Sequence, residues 1–420
     1  MRLEELARTL ELDPKTCDFM QRRGFEAAEA IYTDPPAGLT AAKITGRLAE
    51  LHLTFDPAPL LAAAARACQS KVLKHTFHYL SFYWWQLKDA EIYDYSLPRL
   101  TDIAGEAEGG LLDLALALDG GDAIEAKFAM MGLPREYAPA ALDRIRGSVL
   151  DYGRFHDGRL GYPETQHHWM RHFVNGKLFR IGRLEYMVEP KPLMLGPAFY
   201  RRKKDGAVIG LCRSGWKLNA DGFQLWRDDP SECAVREAVL EVGEHAVRGI
   251  PVDPAGFAEV RRTVTLPLDE FEPMWGENDF VPDIHIPGGG GMTPELCKAS
   301  LIDAVEFFRH YFYREVKGFT SFSWIYNPDF CEVLPESNLA KFMRELYLSP
   351  VLSCGQDGLD FVFGKSDRDW TDYPANNSLQ RAFHRLRESG KRLKEGGMFI
   401  EARGLAAFGT NLYRKEYRSF

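Results

Sequence analysis

Residues 279–312 read DFVPDIHIPGGGGMTPELCKASLIDAVEFFRHYF, and this stretch decides the fold. The apolar run 280–286 reads as a buried strand, and Pro294–Tyr311 repeats apolar residues at helical spacing. Four glycines, 288–291, stand between them. Thr293 is a good N-cap, and Pro294 at the first helical position gives up no N–H that the helix needs. Strand, glycine loop and helix in that order aim several backbone N–H groups and a helix N-terminus at one place. A phosphate or pyrophosphate is the usual occupant of such a cradle. Neither GxxxxGKS/T nor GxGxxG is present, which disfavours a nucleotide triphosphatase and a dinucleotide site. Glu295 already meets the helix dipole. On these features alone an anion cradle and a mobile turn both stay open.

Downstream, the pattern predicts a strand over 318–326, a helix over 338–347 and a strand over 359–363. An amphipathic helix over 378–394, a Gly396-Gly397 turn and a strand over 398–402 complete it. Upstream, strands are expected over 179–188, 208–218 and 257–266, with a turn at Asn219-Ala220-Asp221-Gly222. Before about residue 150 the texture is helical. Leu3, Leu6, Ala7 and Leu10 recur at helix spacing, and Asp13-Pro14 closes one helix and starts the next. The aromatic cluster YLSFYWW (79–85) sits at helical spacing and reads as a contact between helices rather than a ligand-stacking platform. The order predicts an α+β (or α/β) unit behind a helical part, with domains 1–155 and 156–420.

Composition narrows the class. A chain of 420 residues with 45% hydrophobic and 27% charged residues is long enough for two or three packed domains. The net charge of −8 argues against a protein that coats nucleic acid or an anionic membrane. The basic run Arg201-Arg202-Lys203-Lys204 meets Asp205 at once and reads as a solvated hairpin tip. Seven cysteines without a CxxC pair suit reduced thiols rather than disulfides or a zinc site. The first residues, MRLEELARTLELD, lack the pattern of a signal peptide, and no apolar run approaches the roughly 20 residues that span a bilayer. A cytoplasmic protein is expected.

Several segments resemble bacterial acyltransferase-domain proteins, which pair a helical N-acyltransferase N-terminal domain with a GNAT-like C-terminal domain. They are GKLFRIGRLEYMV (176–188), VRGIPVDPAGF (247–257), IHIPGGGGMTPELCKASLIDAVEFF (284–308), PESNLAKF (335–342) and SLQRA (378–382). The stretch MGLPREYAPAALDRIRGSVLDY (131–152) resembles the helical domain. The resemblance implies a mixed sheet flanked by helices and direct transfer of an acyl group, acetyl by expectation, from acyl-CoA to an amine. The acceptor would be a small molecule or a peptide, with no metal involved and the oligomeric state left open. It also implies that Gly288, Gly289, Gly290, Gly291, Met292, Thr293 and Asn338 hold CoA. Ile284 and Ile286 would lie along the pantetheine arm, and a backbone N–H near His285 or Ile286 would polarise the thioester carbonyl. Position 285 holds His where the family has Gln or Arg. Glu345 stands where a tyrosine is common, with Tyr347 two residues on. A non-catalytic acyl-CoA sensor or partner-binding module is the alternative.

Acyl transfer to an amine needs a base for the amine and an acid for the thiolate. Asp283 and His285 alternate on one strand and so share a face, which allows a carboxylate–imidazole pair beside the loop. Glu185 is a further candidate, although with Arg183 on the same strand face the simpler reading is an ion pair. Tyr326, at the end of its strand, is a candidate acid. His167, His168 and His172 put two imidazoles four apart, but Trp169 replaces the glutamate of HExxH, so a packed helix is the simpler reading. There is no GxSxG elbow.

Overall fold

A computed structural model describes residues 1–88, 97–188, 196–225, 233–276, 278–289, 291–364 and 369–420. The chain forms two compact units, one of residues 1–181 with 287–289, the other of 182–286 with 290–420. Helices build the first and mixed sheets the second, an α+β protein as expected. Among the described residues no helix is long and apolar enough to cross a membrane.

The helical unit packs around Glu106–Asp119, whose apolar residues are buried on nearly every side. Its neighbours include Ala58–Gln69 and Lys71–Ser81. Asp13 caps Pro14–Arg22 by accepting from Thr16 N–H, the boundary expected at Asp13-Pro14. The aromatic cluster is core: Tyr79, Tyr83, Trp84 and Trp85 are buried, and the Trp85 indole donates to Leu116 O. The turn is wide here, and Leu87 N–H reaches five residues back to Phe82 O.

In the second unit we label the strands of the main sheet β1 (Leu184–Met187), β2 (Asp283–His285), β3 (Gly318–Ser323), β4 (Tyr347–Pro350) and β5 (Gly396–Glu401). Its helices include α1 (Pro294–Tyr311) and α2 (Asn338–Arg344). The sheet order is β1-β2-β3-β5-β4, with β2 and β3 parallel and the other pairs antiparallel. A second, five-stranded antiparallel sheet includes Ala198–Arg202, Val208–Leu211 and Pro251–Asp253. The two meet through Phe199, which packs on Tyr347 and Phe399.

Several expected elements are shorter or different. The run 179–188 breaks at Gly182, whose φ of +58° ends one strand before β1 begins. The runs 208–218 and 257–266 each split into two strands. The run 280–286 forms a strand only over β2, and 318–326 turns into a 3-10 helix at Trp324. The helix expected over 338–347 stops at Arg344 and leaves Tyr347 to β4. The strand expected at Leu359–Phe363 is a helix, bounded by Gly358 and Gly364, both at positive φ. A five-residue run, four of it apolar, has no readable period, so flanking glycines decided it. The helix expected over 378–394 ends at Glu388, Gly396-Gly397 begins β5 rather than forming a turn, and a further helix, Leu412–Tyr417, follows. The basic run is a hairpin tip only at Lys203 and Lys204. Arg202 is buried, paired with Asp205, and Arg201 pairs with Glu401.

Candidate functional site

The site is built on β2 and its neighbours. Ile284 is fully buried, which turns Asp283 and His285 to the other face. In the β1–β2 ladder His285 lies opposite Glu185, so the three polar side chains share one face of the sheet. Asp283 Oδ2 stands 3.3 Å from His285 Nε2. Asp283 Oδ1 is buried without a hydrogen-bond partner among the described residues, an acceptor held in reserve. Glu185 is fully buried. The expected pair on one face is therefore present, and Glu185 lies on that face too. Arg183 lies in the turn before β1, where its Nε donates to Gly291 O at 3.1 Å.

β2 and β3 pair at a single register position, Asp283 with Thr320. Thr320 N–H donates to Pro282 O, and the Ser321 hydroxyl donates to Ile284 O at 2.6 Å. Beyond Asp283 and Thr320 the two strands share no further register position among the described residues.

Tyr326, just past β3, is fully buried. Burial first, with the Asp283 carboxylate adding to it, raises its pKa above the ordinary tyrosine value, while the polar Ser321 side chain opposes the rise. The phenol thus stays protonated across the physiological range.

At the head of α1, Thr293 Oγ1 accepts from Leu296 N–H at 3.3 Å, which fixes the helix start where the sequence placed it. Met292 is buried and Gly291 exposed. Asn338 Nδ2 lies 3.8 Å from where a Cβ on Gly291 would stand. One cation and one amide donor thus flank Gly291. Sequence reading proposed Asn338 but missed Arg183, whose only signal was its position after Gly182 at the mouth of a strand. Cys297, one turn into α1, is buried and its thiol is pushed up to about 12, so it is no nucleophile.

Gly288 and Gly289 belong to the helical unit. Gly289 has φ +74°, which glycine adopts freely, and a Cβ on Gly288 would stand 3.3 Å from Asp151 Oδ2. Gly290 lies outside the described residues.

Two family positions do structural work instead. Glu345 Oε2 accepts from Gly409 N–H at 2.7 Å and Asn411 N–H at 3.2 Å. The buried Tyr347 hydroxyl accepts from Gly210 N–H at 2.9 Å and donates to Val252 O. Neither is available as an acid. In the histidine cluster, His167 Nε2 meets Asp113 Oδ1 at 3.0 Å in the core, and burial pushes His168 down to about 4. Among the described residues no group of three or more His, Cys, Asp or Glu side chains is placed to hold a metal.

The family model of the GNAT-like C-terminal domain matches residues 178–400. Solved structures of similar fold include an acyltransferase in complex with CoA and 10C-teicoplanin, 18% identical, TM-score 0.55, covering 96% of this chain and 100% of that one. An acyltransferase in complex with decanoyl-CoA and teicoplanin is 17% identical, TM-score 0.53, with the same coverage. An acyltransferase in complex with decanoyl-CoA is 18% identical, TM-score 0.52, covering 96% of this chain and 99% of that one. No curated protein sequence matches. At these identities the structural likeness is one of fold. The family match spans more than half of the chain and includes the strand, the glycines and the capped helix, so the chain belongs to the family of GNAT-like C-terminal domain proteins.

Proposed function

We propose that the protein transfers an acyl group from acyl-CoA to an amine in one direct step. The observation that carries this reading is the single-position pairing of β2 with β3 at Asp283 and Thr320, with Asp283, His285 and Glu185 on one sheet face beside it. The pantetheine arm would run along Ile284 and Ile286, with its thioester oxygen on the Ile286 N–H. The pyrophosphate would lie at the head of α1, on amides from Gly291 to Thr293, with Arg183 and Asn338 as further donors. The amine nitrogen bonds to the thioester carbon, the C–S bond breaks, and its electron pair leaves on sulfur. His285, backed by Asp283 and Glu185, takes the amine proton, and Tyr326 supplies one to the thiolate.

Acetyl is the group that family resemblance implies. The complexes of similar fold hold decanoyl-CoA and octanoyl-CoA, which favours a longer chain here. Teicoplanin, present in two of them, favours a small-molecule or peptide-like acceptor. The seven free cysteines fit a cytoplasmic setting. A non-catalytic acyl-CoA sensor is the second reading, favoured by the structural use of Glu345 where the family has its tyrosine.

Calorimetric titration with acetyl-CoA and decanoyl-CoA tests the first step, and thiol release against a panel of amines tests the second. We expect saturable binding, and a turnover loss of about 10²–10³-fold in His285→Ala with affinity nearly unchanged. Folded protein that binds neither thioester at millimolar concentration overturns the proposal. Binding without thiol release selects the sensor.

A further inference from the structure

A cavity of about 490 Å³ in the sheet-containing unit is used by none of the residues above. Its place follows from register. Gly396 pairs with Ser323 at the end of β3 and with Pro350 at the end of β4. Val351, Ser353 and Glu395 of the cavity wall therefore lie at the sheet edge toward which β2 and β3 both run. Gly396 also lies so close to Tyr326 that a Cβ there would stand 2.1 Å from the Tyr326 carbonyl oxygen. One end of the cavity thus adjoins the backbone of the candidate acid.

The charges in the wall are unevenly matched. Lys394 is buried, with Nζ 2.7 Å from Asp329 Oδ2 and 3.4 Å from the Phe223 ring centroid. Lys391 also holds Asp329, at 3.1 Å, and pairs with Glu332. Arg392 donates to Cys354 O. Glu395 differs from all of these. Its backbone N–H donates to Ser353 Oγ, but its half-buried carboxylate has neither an ion pair nor a hydrogen bond among the described residues. Burial, with the charge of Asp357 adding to it, raises the pKa of this carboxyl, as expected of an acid that lacks a cation. Phe223, Leu225, Phe257 and Val351 supply an apolar side. Phe257 is 37% exposed, a large ring left open to the solvent side.

We infer that this cavity is the acceptor subsite, and that Glu395 receives a charged ammonium group of the acceptor, carried on an apolar body and distinct from the amine that is acylated. The inference rests on the acyl-transfer reading above and adds to it where the acceptor sits and which residue selects a cation. A half-buried carboxylate is costly to leave unpaired, and a primary ammonium returns both charge and N–H donors to it. The neighbouring Lys391 and Lys394 are held by Asp329 and stay out of the way.

The probe is 2-phenylethylamine, titrated into the full chain and followed by ligand-observed NMR, with 2-phenylethanol as the uncharged match. The amine is expected to bind at least about tenfold tighter than the alcohol. Glu395→Gln is expected to bring the amine down to the level of the alcohol while CoA affinity stays within about twofold, the CoA donors being elsewhere. Phe257→Ala serves as a second variant and should weaken both probes alike. Equal binding of amine to wild type and Glu395→Gln, or no amine binding to folded wild type, overturns the inference. Failure of CoA to bind instead overturns the acyl-transfer reading, so the two failures are distinct.

Discussion

Glu345 and Asp119 show how a carboxylate earns different readings from its surroundings. Glu345 makes both its contacts with backbone amides, Gly409 and Asn411. Glu345→Gln keeps an acceptor but loses the charge that strengthens both bonds. Urea unfolding should show a loss of about 1–3 kcal/mol, with acyl transfer per folded molecule unchanged. Asp119 accepts from Ser81 Oγ at 2.6 Å, and burial raises its carboxyl above the ordinary range. A raised folded pKa means that the native state holds the proton more tightly than the unfolded chain. The stability linked to that proton is complete below the unfolded value, near pH 4, and is lost as pH rises through the folded value. Asp119→Asn keeps an acceptor for Ser81 without the charge. Its melting temperature should therefore gain on wild type between about pH 4 and pH 7, and an equal difference at both pH values would contradict this.

Between elements, one hydroxyl ties α1 to β1. Ser300 Oγ accepts from Leu184 N–H at 3.2 Å and meets the Tyr186 hydroxyl at 2.8 Å, all buried. Ser300→Ala leaves two buried polar groups without that partner and should cost about 2–4 kcal/mol in denaturant unfolding. Thr293→Ala, at the exposed end of the same helix, should cost only about 1 kcal/mol. The contrast separates a contact that joins elements from one that finishes a helix. It also marks what was legible. Thr293-Pro294 gave the start of α1 because a cap is written in adjacent residues. The helix at Leu359–Phe363 was not legible, because a five-residue run with four apolar residues fits either period and two glycines at positive φ decided the outcome.

For the molecule as a whole, a ligand that binds only the folded state stabilises it by mass action. An acyl-CoA at about a hundred times its Kd should add about 2.7 kcal/mol. Thermal unfolding should show the same rise for wild type and Glu395→Gln, and a smaller one for Arg183→Ala, whose guanidinium flanks Gly291. An undiminished rise in Arg183→Ala would remove that residue from the CoA contacts.

The sequence by itself determined what neighbours in the chain can settle. It gave the capped helix after the glycines, the shared face of Asp283 and His285, and the buried aromatics of the helical part. Each depends on caps, alternation or helical period, which act over a few residues. The tertiary structure decided which distant residues meet. It set Glu185 opposite His285, brought Arg183 to Gly291 across 108 positions, took Glu345 and Tyr347 away from chemistry, and left the Glu395 carboxylate without a partner among the described residues in a cavity. Strand register and the packing of one sheet on another fix these meetings, and a one-residue slip would undo them. No local pattern encodes that choice.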